Sequence, residues 1–433
     1  MPELQRFSLP NGLRVLLEPR PSAAVVAVSV HYDVGFRSEA EGRSGFAHLF
    51  EHLMFQGSEN HAKMAHWTYV QGLGGSVNGS THQDYTDYYQ VLPSEGLEQV
   101  LSMEMDRMHT LLITEENLCN QRAVVKEEIR LNILNRAYGG FPWIPLPALL
   151  YSTYPNTHNG YGSFEDLDSA SVADAVDFYR AHYVPANAVL TVCGAFDPDR
   201  TAAYIEEVFG ALPHHPTPAP AVLREELPGT TRHGRREDVH ASLPALALGY
   251  QLPDPGTELD AYLAHMVLCE ILTGGSSSRL HTRLVREKGA AVHVSAGCGL
   301  FNALDTRAPD TLALAVTHHP HADPESVLAE IDSELAGLAE THALADLVPT
   351  AVARVAARSA RRNADLLART RAMGTYELLH NAPALVDELP GRILSIGAEA
   401  VTSAARALLT DQRAVLRLVT SQAVPRQAAE PKT

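Results

Sequence analysis

The alternation of strand and helix patterns in this chain runs through its first half, stops, and begins again. The stop is His214 to Pro220 (HHPTPAP), which continues as a polar, charged run through Asp238. Proline fixes φ and removes a backbone donor, so such a stretch extends neither a helix nor a sheet. It reads as a linker over 214–238 between a first domain, 1–213, and a second, 239–433.

Before the linker, Gly12 to Glu18 and Ala24 to Tyr32 read as strands, and Ser76 to Pro93 as two paired strands. Gly45 to Gly57, Met64 to Leu73, Thr114 to Leu134, Ser169 to Tyr183 and Asp199 to Leu212 have helical spacing, with Ala188 to Gly194 a further strand. After the linker, strands fall at 246–251, 292–296, 311–318 and 414–420. Helices fall at 257–272, 278–287, 323–341, 346–373 and 397–409. The order is similar in both halves. The fold class is therefore α+β, two similar domains, each an antiparallel-rich sheet packed with helices and consistent with an ancient duplication.

Composition excludes several function classes. Hydrophobic residues make up 45%, enough for a sizeable core. With 34 Lys+Arg against 51 Asp+Glu the net charge is −17, which argues against a nucleic-acid or anionic-lipid partner. No apolar run approaches the ~18 residues of a membrane span. The N-terminal stretch lacks a signal-peptide pattern. The four cysteines, Cys119, Cys193, Cys269 and Cys298, form no CxxC pair, so reduced thiols and a cytoplasmic location are expected.

The sharpest local signal is His48-Leu49-Phe50-Glu51-His52. On a helix, i and i+4 share a face, so both imidazoles reach one ion. Glu51 sits on the same side, placed to take a proton from a water beside the ion rather than to bind it. This order belongs to the metallopeptidase signatures, though chance alone supplies it in roughly one such chain in twenty. A third ligand must come from elsewhere. In the helical run containing Glu127 and Glu128, successive residues point about 100° apart, so only one faces the metal. Val124, Val125 and Ile129 mark the packed side, which favours Glu128, while a solvated charged face stays open for both. His214-His215, His318, His319 and His321 lack a helical i, i+4 pair and suggest no second metal site. Asn78-Gly79 alone reads as a turn.

The segments NGLRVLLEP, GFAHLFEHLMFQGS, GGSVNGSTHQDYTDYYQVLP, NQRAVVKEEIRLN, FYRAHYVPANAVLTVCGAFDPD and ILTGGSSSRLHTRLVREKG together resemble the M16 (insulinase/pitrilysin) family of inverted-motif zinc metallopeptidases. Its mitochondrial processing peptidase relatives and short bacterial members are the nearest in length. The resemblance implies one zinc per chain held by His48, His52 and Glu128, with Glu51 as general base. It also implies hydrolysis of unfolded peptides or leader segments inside a clam-shell chamber. Asn78 is then a substrate contact on an edge strand that pairs with extended peptide. Gln121 stands where relatives often carry a further acid. An Arg and a Tyr seven residues on, which bind substrate and steady the oxyanion, correspond to Arg286 and His293. Counted from Gly289, Val292 takes the Tyr position and the pair is lost. The resemblance also implies pairing, as a homodimer or a heterodimer with a second chain of the same kind, and the missing Tyr favours a heterodimer whose partner lacks the metal motif but carries the Arg/Tyr pair. A non-catalytic core subunit is the alternative of another class, and such relatives lose the metal set.

Overall fold

The computed structural model describes residues 4–340 and 344–421. Among them, eleven strands form two sheets, one in each half. The first half carries β1 (Gln5–Ser8), β2 (Arg14–Pro19), β3 (Val25–Tyr32), β4 (Ser76–Thr81), β5 (Thr86–Pro93) and β6 (Ala188–Gly194). Its helices are α1 (Phe46–Leu53), α2 (Ala65–Gly72), α3 (Leu97–Thr110), α4 (Glu115–Ile129), α5 (Pro145–Leu150), α6 (Tyr154–Thr157), α7 (Phe164–Ser169), α8 (Val172–His182) and α9 (Pro198–Gly210). The second half carries β7 (Arg232–Asp238), β8 (Ala245–Gln251), β9 (Ala291–Cys298), β10 (Thr311–His318) and β11 (Ala414–Thr420). Its helices are α10 (Leu259–Thr273), α11 (Pro324–Leu338), α12 (Val348–Ala364), α13 (Leu366–His380), α14 (Leu385–Leu394) and α15 (Ala398–Leu408).

The strand orders are β1-β2-β6-β3-β5-β4 and β7-β11-β8-β10-β9. Apart from β1 they match. β2 runs parallel to β6 as β7 does to β11, and every other pairing is antiparallel. The expected pair of similar α+β units is what the chain forms. The polar connection is shorter than expected, because Arg232–Asp238 is strand β7, not linker. It is an edge strand dense in charged side chains, which discourage pairing with other chains.

One face of each sheet packs on helices of its own half. Val26, Val28, Val30, Leu49, Phe50 and Val125 belong to the first core. Tyr262, Leu268, Leu314 and Val352 belong to the second. The other face of each sheet is covered by a helix from the opposite half. Met373 and Leu378 of α13 pack on Leu16, Val189 and Cys193 of the first sheet. Leu146 and Leu150 of α5 pack on Ala247, Ala414 and Leu416 of the second. The expected single helix over 346–373 is therefore two. Asp365 ends α12 and caps α13, accepting from the Ala368 N–H at 2.8 Å. Gly374 lets α13 lie flat there, since a Cβ would meet the His31 ring at 2.4 Å. Among the described residues no helix is long and apolar enough to cross a membrane.

Candidate metal centre

Helix α1 is built to present two imidazoles. Phe46, Leu49, Phe50 and Leu53 are buried on its core side, and the Phe50 ring stacks on Tyr183 at 5.3 Å. The buried Glu39 carboxylate accepts from the Gly45 and Ala47 N–H groups at 2.9 and 2.8 Å. A negative charge at that end complements the helix dipole. His48 and His52 lie one turn apart with ring centroids 5.0 Å apart.

Glu128 comes from α4, which crosses α1. Thr114 caps α4 by accepting from the Asn117 N–H at 3.1 Å. The buried face of α4 is Leu118, Gln121, Val125 and Ile129, whereas Val124 is exposed. The inward argument through Val124 thus fails, yet Glu128 still faces inward because it follows Val125 by three residues. Glu127 is exposed and pairs with Arg130 at 3.1 Å. Gln121 is buried on the inner face, but the side chain that donates to Glu128 is Asn132, at 3.4 Å. Asn132 lies in the π-helical turn Arg130–Leu134 that ends α4.

The Nε2 atoms of His48 and His52 each lie 3.5 Å from the same Glu128 oxygen, Oε2. One donor atom from each of the three residues falls within 4.8 Å of the others. Ligands about 2.0–2.1 Å from an ion at tetrahedral angles stand about 3.4 Å apart. The separation and the His₂Glu donor set therefore fit zinc. Hydrogen bonds from His48, then His52, hold the Glu128 carboxyl well below its ordinary range. Burial opposes charge on His48, but its hydrogen bond to Glu128 and the surrounding carboxylates of Glu51, Glu128 and Glu39 together raise the ring above its ordinary value.

Glu51 reaches toward strand β4, where Thr81 Oγ1 donates to its Oε2 at 2.7 Å. Gly79 makes room, since a Cβ there would sit 3.0 Å from Glu51 Cγ. The Asn78-Gly79 turn reading is overturned: both residues lie within β4, opposite Tyr89 and Tyr88. Asn78 is exposed, and β4 ends the sheet with its other edge unpaired among the described residues. A pocket of about 220 Å³ joins His48, Glu51 and Glu128 to Phe36, Trp143 and Phe301. Phe301 comes from the second half and packs against Trp143 at 5.7 Å. Neither Thr81 nor Phe301 carried a sequence signal, because their roles depend on contacts distant along the chain.

Arg286 and His293 are both exposed, on the π-helical turn His281–Glu287 and on edge strand β9. Neither lines the metal pocket of its own chain. Among the described residues, His48, His52 and Glu128 form the only group of three or more His, Cys, Asp or Glu with donors this close together.

The family models agree with this layout. Residues 14–133 match the model described as insulinase (peptidase family M16), and residues 169–352 match the one described as peptidase M16 inactive domain. The chain belongs to the M16 peptidase family, with His48, His52 and Glu128 all in the first matched segment. It is 29% identical over 304 residues to a zinc protease, PqqE, of Helicobacter pylori, covering 67% of this chain and 66% of that one. It is 25% identical over 423 residues to an uncharacterized zinc protease of Streptomyces coelicolor, covering 94% and 87%. The fold is similar to the crystal structure of a protease from Helicobacter pylori, with a TM-score of 0.87 at 23% identity, covering 96% of this chain and 99% of that one. It is also similar to the periplasmic protease PqqL from Escherichia coli, with a TM-score of 0.76 at 21% identity. That match covers 99% of this chain but 49% of the other.

Proposed function

We propose that this chain is a zinc-dependent metalloendopeptidase acting on unfolded peptides or leader segments. The observation that carries the reading is the convergence of His48, His52 and Glu128 donors with Glu51 beside them in one pocket. Bound there, zinc supplies Lewis acidity that polarises an amide carbonyl and lowers the pKa of a water molecule. The rest of the chemistry belongs to the chain. Thr81 holds Glu51 Oε2, which leaves Oε1 to take the proton of the attacking water and pass it to the departing amide nitrogen. An extended peptide adds to the free edge of β4, with main-chain bonds giving affinity and Asn78 contacting the backbone near the scissile bond. Phe36, Trp143 and Phe301 favour a bulky apolar side chain beside that bond.

Arg286 and His293 are exposed and do not line their own chain's pocket, which supports their acting on the pocket of a second chain. Two such chains, identical or of one kind, would close a chamber that admits unfolded segments. The test is digestion of a mixed peptide library by the purified chain, read by mass spectrometry. Glu51→Gln is expected to lower turnover by about 10²–10⁴-fold while keeping one zinc per chain. A chelator should abolish turnover, and added zinc should restore it. A protein that binds no zinc ends this reading.

A further inference from the structure

The second half holds a counterpart of the metal pocket whose chemistry has reversed in charge. In the shared topology α10 follows β8 as α1 follows β3, and α12 packs on α10 as α4 packs on α1. Both inner helices run into a Gly-Ser step, Gly57-Ser58 and Gly275-Ser276. Matched at those glycines, Met266, Cys269 and Glu270 occupy the positions of His48, Glu51 and His52. The donor set is gone, but the space is larger: those three residues line a cleft of about 850 Å³ together with Arg358, Arg362 and Arg371. Arg358 donates to Glu270 at 2.8 Å, so an α12 cation meets α10 where the α4 carboxylate meets α1.

The charges in this cleft do not cancel. Glu270 is its only acidic lining residue among those described, and Arg358 already engages it. Arg371 is held by Asp87 at 2.6 Å and lies 3.9 Å from the Tyr89 ring. Arg362 is exposed, lines the cleft, and forms no ion pair among the described residues. This is a free cation on a cavity wall in a chain of net charge −17. The cleft also adjoins the metal pocket. A smaller cavity of about 200 Å³ shares Arg362 and Arg371 with the cleft and Ser80 with the metal pocket. One loop places Phe301 in the metal pocket and Asn302 to Leu304 in the cleft.

We propose that this arginine-lined cleft is a carboxylate-binding subsite for a peptide whose scissile bond lies at the metal pocket. The guanidinium fork of Arg362 matches a carboxylate, and the cavity wall reduces its screening. The ligand chemistry is a peptide carboxylate, from an acidic side chain or from a free C-terminus. The inference rests on the peptidase reading above.

The test uses the full-length Glu51→Gln protein loaded with zinc and fluorescent peptides read by anisotropy. One Glu is scanned along the peptide against a Gln twin, each with a free or an amidated C-terminus. In a narrow window of positions the Glu peptide is expected to bind about tenfold more tightly than its Gln twin. The advantage should shrink with salt, disappear in Arg362→Gln and persist in part in Arg362→Lys. If tight binding follows the free C-terminus and is lost in Arg362→Gln, the subsite holds and its ligand is the terminal carboxylate. Equal binding of all four peptides overturns the subsite and leaves the peptidase reading standing. If no peptide binds, both fall.

Discussion

At the residue scale, the site separates what is local from what is not. His48, Glu51 and His52 were legible because helix geometry alone puts them together. Glu128 was narrowed to two neighbours by its helix, although Val124, counted on the packed side, is exposed. Thr81 was invisible, because its value lies in one hydrogen bond to Glu51 across thirty positions of chain. That bond fixes which carboxylate oxygen faces the pocket. Thr81→Val should therefore lower kcat about tenfold with KM and zinc content little changed, while Thr81→Ser keeps most of the rate. Steady-state kinetics with metal analysis on both variants checks this, and equal rates for the two would remove Thr81 from the mechanism.

At the element scale, α13 decides how the halves hold together. The expectation of one helix over 346–373 ran through an Asn-Ala-Asp segment whose Asp365 is a cap. Helix α3 carries no clear helical signal in the sequence for a different reason. Its inward face carries Glu104 and Arg107, buried and paired at 2.5 Å, so its apolar period is broken. Arg369 of α13 binds Glu18 of β2 at 2.6 Å and Asp387 at 2.7 Å. Burial pushes the Glu18 carboxyl up, but hydrogen bonds from Arg369 and Arg20 bring it to about 2, below its ordinary 4.5. Its stabilisation is therefore complete above about 4.5 and is lost as pH falls toward 2. His31 lies under the same helix, 3.2 Å from Thr375. Burial lowers its ring from 6.5 to about 4, with Asp87 opposing. The unfolded chain takes that proton first, so this contribution is lost between about 6.5 and 4. Acid should thus loosen α13 in two stages. Glu18→Gln is expected to cost about 3 kcal/mol at neutral pH and to flatten the lower stage. Thermal unfolding followed across pH reads both effects.

At the scale of the whole molecule, the repeat was legible and the exchange between its copies was not. The succession of strand and helix runs can be read along the chain, but nothing in Leu366 to His380 says which sheet that helix will cover. Because α13 seals the first sheet and α5 the second, neither half should be stable alone. Residues 1–231 expressed by themselves are expected to be insoluble or to bind a hydrophobic dye. Co-expression with 232–433 should restore a soluble 1:1 pair, as gel filtration would show. A well-folded isolated first half would contradict this.

The same exchange sets a timetable for synthesis. The His48–His52 segment leaves the ribosome early, yet the sheet that supports it lacks its second cover until His380 has been made. For most of translation the nascent chain holds an open, greasy sheet face that a chaperone could occupy. The first sheet is therefore completed only after α13 has been made and has closed over it, long after the His48–His52 segment has been translated.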